Sequence, residues 1–97
     1  MNEQVEYNTQ ELQDIQYSIE LGESLERLLK NRDFKKVFVD LFLEQGTKML
    51  ITNLVVSTKR ESIVEQIAAR GYVYRLMDGI ANDAMSARQA IAEMNEE

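Results

Sequence analysis

Ninety-seven residues with 17 acids, 11 bases and neither His nor Cys make at most one domain, which buries about 60–65% of its unfolded surface without disulfide or thiolate support. The net charge of −6 argues against nucleic acid, a polyanion whose binding rests on neutralising several phosphates with Lys and Arg. Apolar runs of only a few residues exclude a membrane span, and Met1-Asn2-Glu3-Gln4 has neither the basic start nor the apolar segment of a signal peptide.

Residues 1–8 read as a flexible polar N-terminus and residues 9–95 as a single helical domain. The first helix covers roughly Thr9 to Lys30. Asn8 or Thr9 suits its N-cap, and acids crowd the first turns as the helix dipole favours. Leu12, Ile15, Ile19, Leu25, Leu28 and Leu29 recur at threes and fours, with Gly22 on the same stripe. That period belongs to an amphipathic helix. Arg27 and Lys30 carry the charge that a helix C-terminus attracts, and Asn31-Arg32-Asp33 forms the corner.

The next segment, about Asp33 to Val55, has two readings. Val37-Phe38-Val39 and Leu41-Phe42-Leu43 favour strands, and Glu44-Gln45-Gly46-Thr47 suits a hairpin turn. The helical reading, which we favour, keeps a helical step through Phe34, Val37 or Phe38, Leu41, Gln45, Lys48 or Met49, and Thr52. Gly46 then costs about 1 kcal/mol against Ala, which a close helix contact can offset. Asp40, Glu44 and Lys48 leave only a narrow polar strip on such a helix, so much of its apolar surface needs a second subunit to cover it.

Thr58-Lys59-Arg60-Glu61 has the spacing of a capping box, with Ser57 as a second cap choice. From there a third helix extends to about Met94. Ile63 and Ile67 begin one apolar stripe; Val73, Leu76, Ile80, Ala84, Ala87, Ile91 and Met94 continue another close to a heptad. A break near Gly71 or Gly79 stays open. Small residues dominate the C-terminal end and invite a close helix neighbour. The expected fold is therefore all-α: three helices, an N-terminal helical hairpin plus a long C-terminal helix, in a chain that associates with itself.

No constellation predicts catalysis, a metal or a cofactor. With 17 acids, carboxylate pairs at helical spacing such as Glu61 and Glu65 arise by chance and read as solvated faces. The di-metal helical signature needs Glu-x-x-His, and this chain lacks His altogether. Ser and Thr have no obvious activating base, and the four glycines stand singly rather than in a phosphate-cradling loop. Tyr72 and Tyr74 beside Arg75 form the one aromatic-basic cluster. On a helix the two rings point about 200° apart, so they make no common stacking platform.

Charge is the informative feature. Residues 1–26 hold seven acids and no base, whereas Arg27, Lys30, Arg32, Lys35 and Lys36 face the single acid Asp33. These five bases are the predicted partner-binding set, aimed at acidic protein surface. Val39, Phe42 and Leu43 on the second segment, with Ala84, Ala87 and Ile91 on the third, are the predicted oligomer interface.

The run Ile19-Glu20-Leu21-Gly22-Glu23-Ser24-Leu25-Glu26-Arg27-Leu28-Leu29-Lys30-Asn31-Arg32-Asp33-Phe34-Lys35-Lys36-Val37 resembles a recurring segment of small acidic proteins of tailed bacteriophages. The likeness extends more weakly through Gln66-Ile67 and Gly71 to the Ala-rich end. The short basic link Ser57-Thr58-Lys59-Arg60 departs from it. The resemblance implies a non-enzymatic phage assembly or interaction protein that binds virion or packaging proteins, in the host cytoplasm or the virion. It carries over no catalytic residues. The alternative expectation is a phage module that binds a host or defence protein, or sequesters a small anionic ligand at a subunit junction.

Overall fold

A computed structural model describes residues 7–54 and 58–96. Among them there is no strand. Three helical segments make up the fold: α1 (Thr9–Lys30), a second segment, and the long α4 (Arg60–Met94). The second segment runs without a break through α2 (Arg32–Phe34), a π-helical stretch (Lys35–Gln45) and α3 (Gly46–Leu54). The capping expected at Ser57 lies outside the described residues, as do most of residues 1–8.

Local chemistry explains where the helices begin. Asn8 Oδ1 accepts from the Glu11 amide at 2.8 Å, and the Asn8 carbonyl accepts from Leu12 at 3.0 Å. Of the two cap candidates for α1, Asn8 is therefore the cap. Asn31 repeats the device after the corner: its backbone is extended (φ −69°, ψ 120°) and Oδ1 accepts from the Phe34 amide at 2.9 Å. An asparagine in this position satisfies an amide that the first turn leaves unpaired, typically contributing about 1 kcal/mol. In α4 the first helical carbonyl is that of Lys59, which accepts from Ile63 at 3.2 Å. The helix thus starts one residue later than a cap at Thr58 would give, and it passes Gly71 and Gly79 uninterrupted.

Two compact units divide the chain: Met1–Glu26 with Asp78–Glu97, and Arg27–Met77. α1 and α4 each contribute residues to both.

The first unit is packed with small side chains. Gly22 is buried, and a Cβ placed on it would lie 2.3 Å from the Cβ of Ala84. No real pair of carbons sits that close, so glycine is what permits this contact. Ala84 and Ala87 are buried, while Ile15, Ile19 and Leu25 are half-buried. Arg88 pairs with Glu26 at 3.6 Å, both well exposed.

The second unit is packed with large side chains. Phe34, Phe38 and Phe42 stack in series, with ring centroids 4.9 and 5.3 Å apart and planes 22° and 27° from parallel. Each such aromatic pair contributes about 0.5–1.5 kcal/mol. A π stretch of 11 residues is unusual, since most are single-turn bulges.

The hairpin alternative for this segment is overturned across residues 35–54. Gly46 has helical angles (φ −59°, ψ −43°) rather than those of a turn. The β-favouring triplets lose to a ladder of rings that only a helix can align. Of the expected helical step, Phe34 and Phe38 are half-buried, whereas Val37, Leu41, Gln45, Lys48, Met49 and Thr52 are exposed. Leu43 is the buried residue of the segment, and Phe34, Phe38, Val39, Asp40, Gly46, Thr47, Leu50 and Leu54 are half-buried. In α4 the inward line runs Val73, Met77, Ile80, Ala84, Ala87, Ile91 and Met94. Met77 takes the place expected of Leu76, which is 51% exposed, and the line becomes a regular alternation of fours and threes.

Candidate functional site

The basic corner and the π-helical stretch lie together in the second unit. Arg27 and Lys30 belong to the last turn of α1, Arg32 opens α2, and Lys35 and Lys36 open the π stretch. All five are exposed. Lys35 Nζ lies 3.3 Å from Asp40 Oδ1, a pairing five residues apart that follows the π register directly. Both partners keep much of their surface in water, so this pair adds little stability.

The same helical segment also exposes apolar residues. Val37, Leu41 and Met49 are 60%, 54% and 62% exposed. Steps of four fall slightly short of a turn in π winding and slightly beyond one in α winding. The change of winding at Gly46 therefore returns Met49 to the side that Val37 and Leu41 occupy. Isolated exposed apolar residues are ordinary; a row of them rimmed by charge marks an interaction surface.

Arg70 of α4 fixes the C-terminal end of this stretch. Its Nε donates to the Phe42 carbonyl at 3.0 Å, and a terminal nitrogen donates to the Gln66 carbonyl at 3.2 Å. The guanidinium carbon sits 4.2 Å from the centre of the Phe42 ring. A Cβ on Gly46 would meet Arg70 nitrogens at 3.1 and 3.3 Å. Gly46 is thus the opening through which Arg70 reaches the backbone. The helix-propensity cost of that glycine is offset by a side-chain contact rather than by a helix crossing. The Gly46 amide donates to both the Leu41 and Leu43 carbonyls, and the Thr47 hydroxyl donates to Leu43. These shared bonds mark the return from π to α winding.

The predicted interface residues fare unevenly. Leu43 is 0% exposed, Ala84 1% and Ala87 6%. These three face the interior of their own units and offer no surface to a second copy. Leu43 turns inward because the π winding brings the fifth residue after Phe38 onto the buried side. Val39 and Ile91 are half-buried, and Phe42 keeps 37% of its surface although its ring lies against Arg70. The exposed large apolar residues of the second segment are therefore Val37, Leu41, Phe42, Met49 and Ile51. The bond from Arg70 to the Phe42 carbonyl carried no local signal, since the two are 28 positions apart in sequence.

A shallow groove of about 290 Å³ in the first unit is lined by Asp14, Ser18, Asp83 and Ser86, with Tyr7 and the apolar Ile15, Ala87 and Ala90. No group of His, Cys, Asp or Glu suited to hold a metal occurs among the described residues. Tyr72 and Tyr74 are both exposed, at 62% and 38%. No described helix is long and apolar enough to cross a membrane. No protein-family model matches the chain, and no curated protein or solved structure shows significant similarity to it.

Proposed function

We propose that this chain is a non-enzymatic helical assembly protein that associates with itself and docks protein partners through its second unit. One observation carries the reading: Val37, Leu41 and Met49 are exposed on the same helical segment as the exposed bases Arg32, Lys35 and Lys36. Burying one such apolar side chain contributes roughly 1.5–3 kcal/mol, enough for a few of them to decide whether two molecules stay together. The proposal includes an N-terminal helical hairpin turned at Asn31. The likeness of residues 19–37 to small acidic phage proteins supports a setting among virion or packaging proteins, in the host cytoplasm or the particle.

Sedimentation and thermal unfolding over a range of protein concentrations test it. An assembling chain has a midpoint that rises with concentration, as mass action requires, and Leu41→Glu abolishes the rise. A monomer whose midpoint ignores concentration ends the assembly reading. Mass spectrometry of purified particles addresses the setting separately: a fixed copy number supports a virion role, and absence turns attention to a host or defence protein.

A further inference from the structure

The two units carry opposite charge. Met1–Glu26 with Asp78–Glu97 holds twelve acids against one base, a net of −11; Arg27–Met77 holds ten bases against five acids, a net of +5. The single base of the acidic unit, Arg88, is already paired with Glu26. Each unit also exposes apolar surface beside its charge. On α1, Tyr17 (63%) and Leu21 (36%) stand one turn apart with Glu20 beside them. On the basic unit Val37, Leu41 and Met49 play the same part.

From this separation we infer that copies of the chain join unlike unit to unlike unit, the acidic α1 face of one copy resting on the basic corner of the next. The inference rests on the self-association reading and specifies which surfaces meet. Contact through two acidic units, or two basic ones, sets like charge against like, which costs binding and suppresses that pairing. Unlike pairing gains from attraction at a distance and places apolar surface on apolar surface at contact. Both surfaces are present at equal concentration in any solution of the protein, so a second copy is an occupant always at hand. An interface between two different patches is heterologous: it closes as a reciprocal pair or ring, or it propagates as an open chain.

Charge reversal on either side tests the pairing. Arg32→Glu with Lys36→Glu makes the corner acidic, and Glu20→Lys with Glu23→Lys makes the α1 face basic; all four positions are exposed. Native mass is measured for wild type across low and high salt, for each double variant alone, and for their equimolar mixture. Wild-type association weakens as salt screens charges over a Debye length of about 8–10 Å. Each variant alone associates roughly tenfold more weakly or worse. The mixture recovers mass, because each reversed face then meets its opposite.

Recovery on mixing also demonstrates that both variants are folded, and circular dichroism checks this independently. Association that ignores salt overturns the inference, as do variants that assemble like wild type. A mixture of helical variants that stays dissociated overturns it too. In those three cases self-association itself survives, whereas a monomeric wild type removes both. Unchanged assembly of the corner variant together with lost retention on a DNA oligonucleotide replaces the second copy with nucleic acid.

Discussion

The acidic unit is packed by the smallest side chains in the molecule and the basic unit by some of the largest. In the first, Gly22 meets Ala84 at a distance no larger residue would tolerate, and the gain comes from closeness. In the second, three stacked rings and the fully buried Leu43 fill space, and the gain comes from apolar area. The contrast extends to the two constrained glycines. Gly22 admits the side chain of an alanine, and Gly46 admits the guanidinium of Arg70. A short chain can thus reach dense packing by removing side-chain volume or by adding it, and the two routes fail differently when disturbed.

Leu43→Ala disturbs the second route most. It deletes the largest fully buried side chain and leaves a cavity that the π winding cannot readily close. The expected loss is about 2–5 kcal/mol by urea denaturation, and a loss below about 1 kcal/mol would show that the unit collapses around the gap.

Gly22→Ala disturbs the first route by overfilling it, at a cost of about 1–3 kcal/mol. Adding Ala84→Gly makes room again and should recover part of that loss in a double-mutant cycle. Gly79→Ala is the control within the same unit. Nothing lies within 4 Å of a Cβ there, so the same change should stabilise by about 0.4–1 kcal/mol. Equal signs at the two glycines would remove the claim that closeness, rather than helix propensity, governs this unit.

Arg70→Lys is the subtlest probe. It keeps the charge but loses the planar group that bonds the Phe42 carbonyl while covering the Phe42 ring. A loss of about 1 kcal/mol is expected, with near-ultraviolet circular dichroism reporting the change around the phenylalanines. An unchanged spectrum and midpoint would make Arg70 an incidental neighbour of the ring.

What was legible beforehand was local. Asn8 or Thr9 announces the start of α1 because a cap bonds within three residues of itself, and Asn31-Arg32-Asp33 marks the corner, although the capping bond of Asn31 emerges only in the structure. Gly22 sat on the apolar stripe of α1, and most of the α4 line followed from its spacing. Leu76 and Met77 are both apolar and adjacent, and only the regular alternation of fours and threes separates them. The π winding was hidden for a different reason: phenylalanines at steps of four suit an α-helix equally well. The inward and outward sides of residues 35–54 were consequently misassigned, and with them the role of Leu43. Charge blocks were visible at residues 1–36, but the acids near the C-terminus and the bases Arg70 and Arg75 join them only once the chain is folded into units.

The π stretch also bears on how the chain tolerates changes in length. Eleven residues wound at roughly 4.4 per turn complete the turns that about nine would complete in an α-helix. Residues 35–45 therefore carry a surplus of about two residues. A deletion of that size within the stretch should leave a continuous helix whose downstream residues, Thr47, Leu50 and Leu54, keep their facing, while the stack of Phe38 on Phe42 is lost. Far-ultraviolet helicity should persist in the shortened chain and the aromatic signal should not. If helicity collapses instead, the surplus is structural rather than dispensable. Lengthening α4 by two residues has no such reserve to draw on, because its regular alternation would rotate everything beyond the insertion by about 200°.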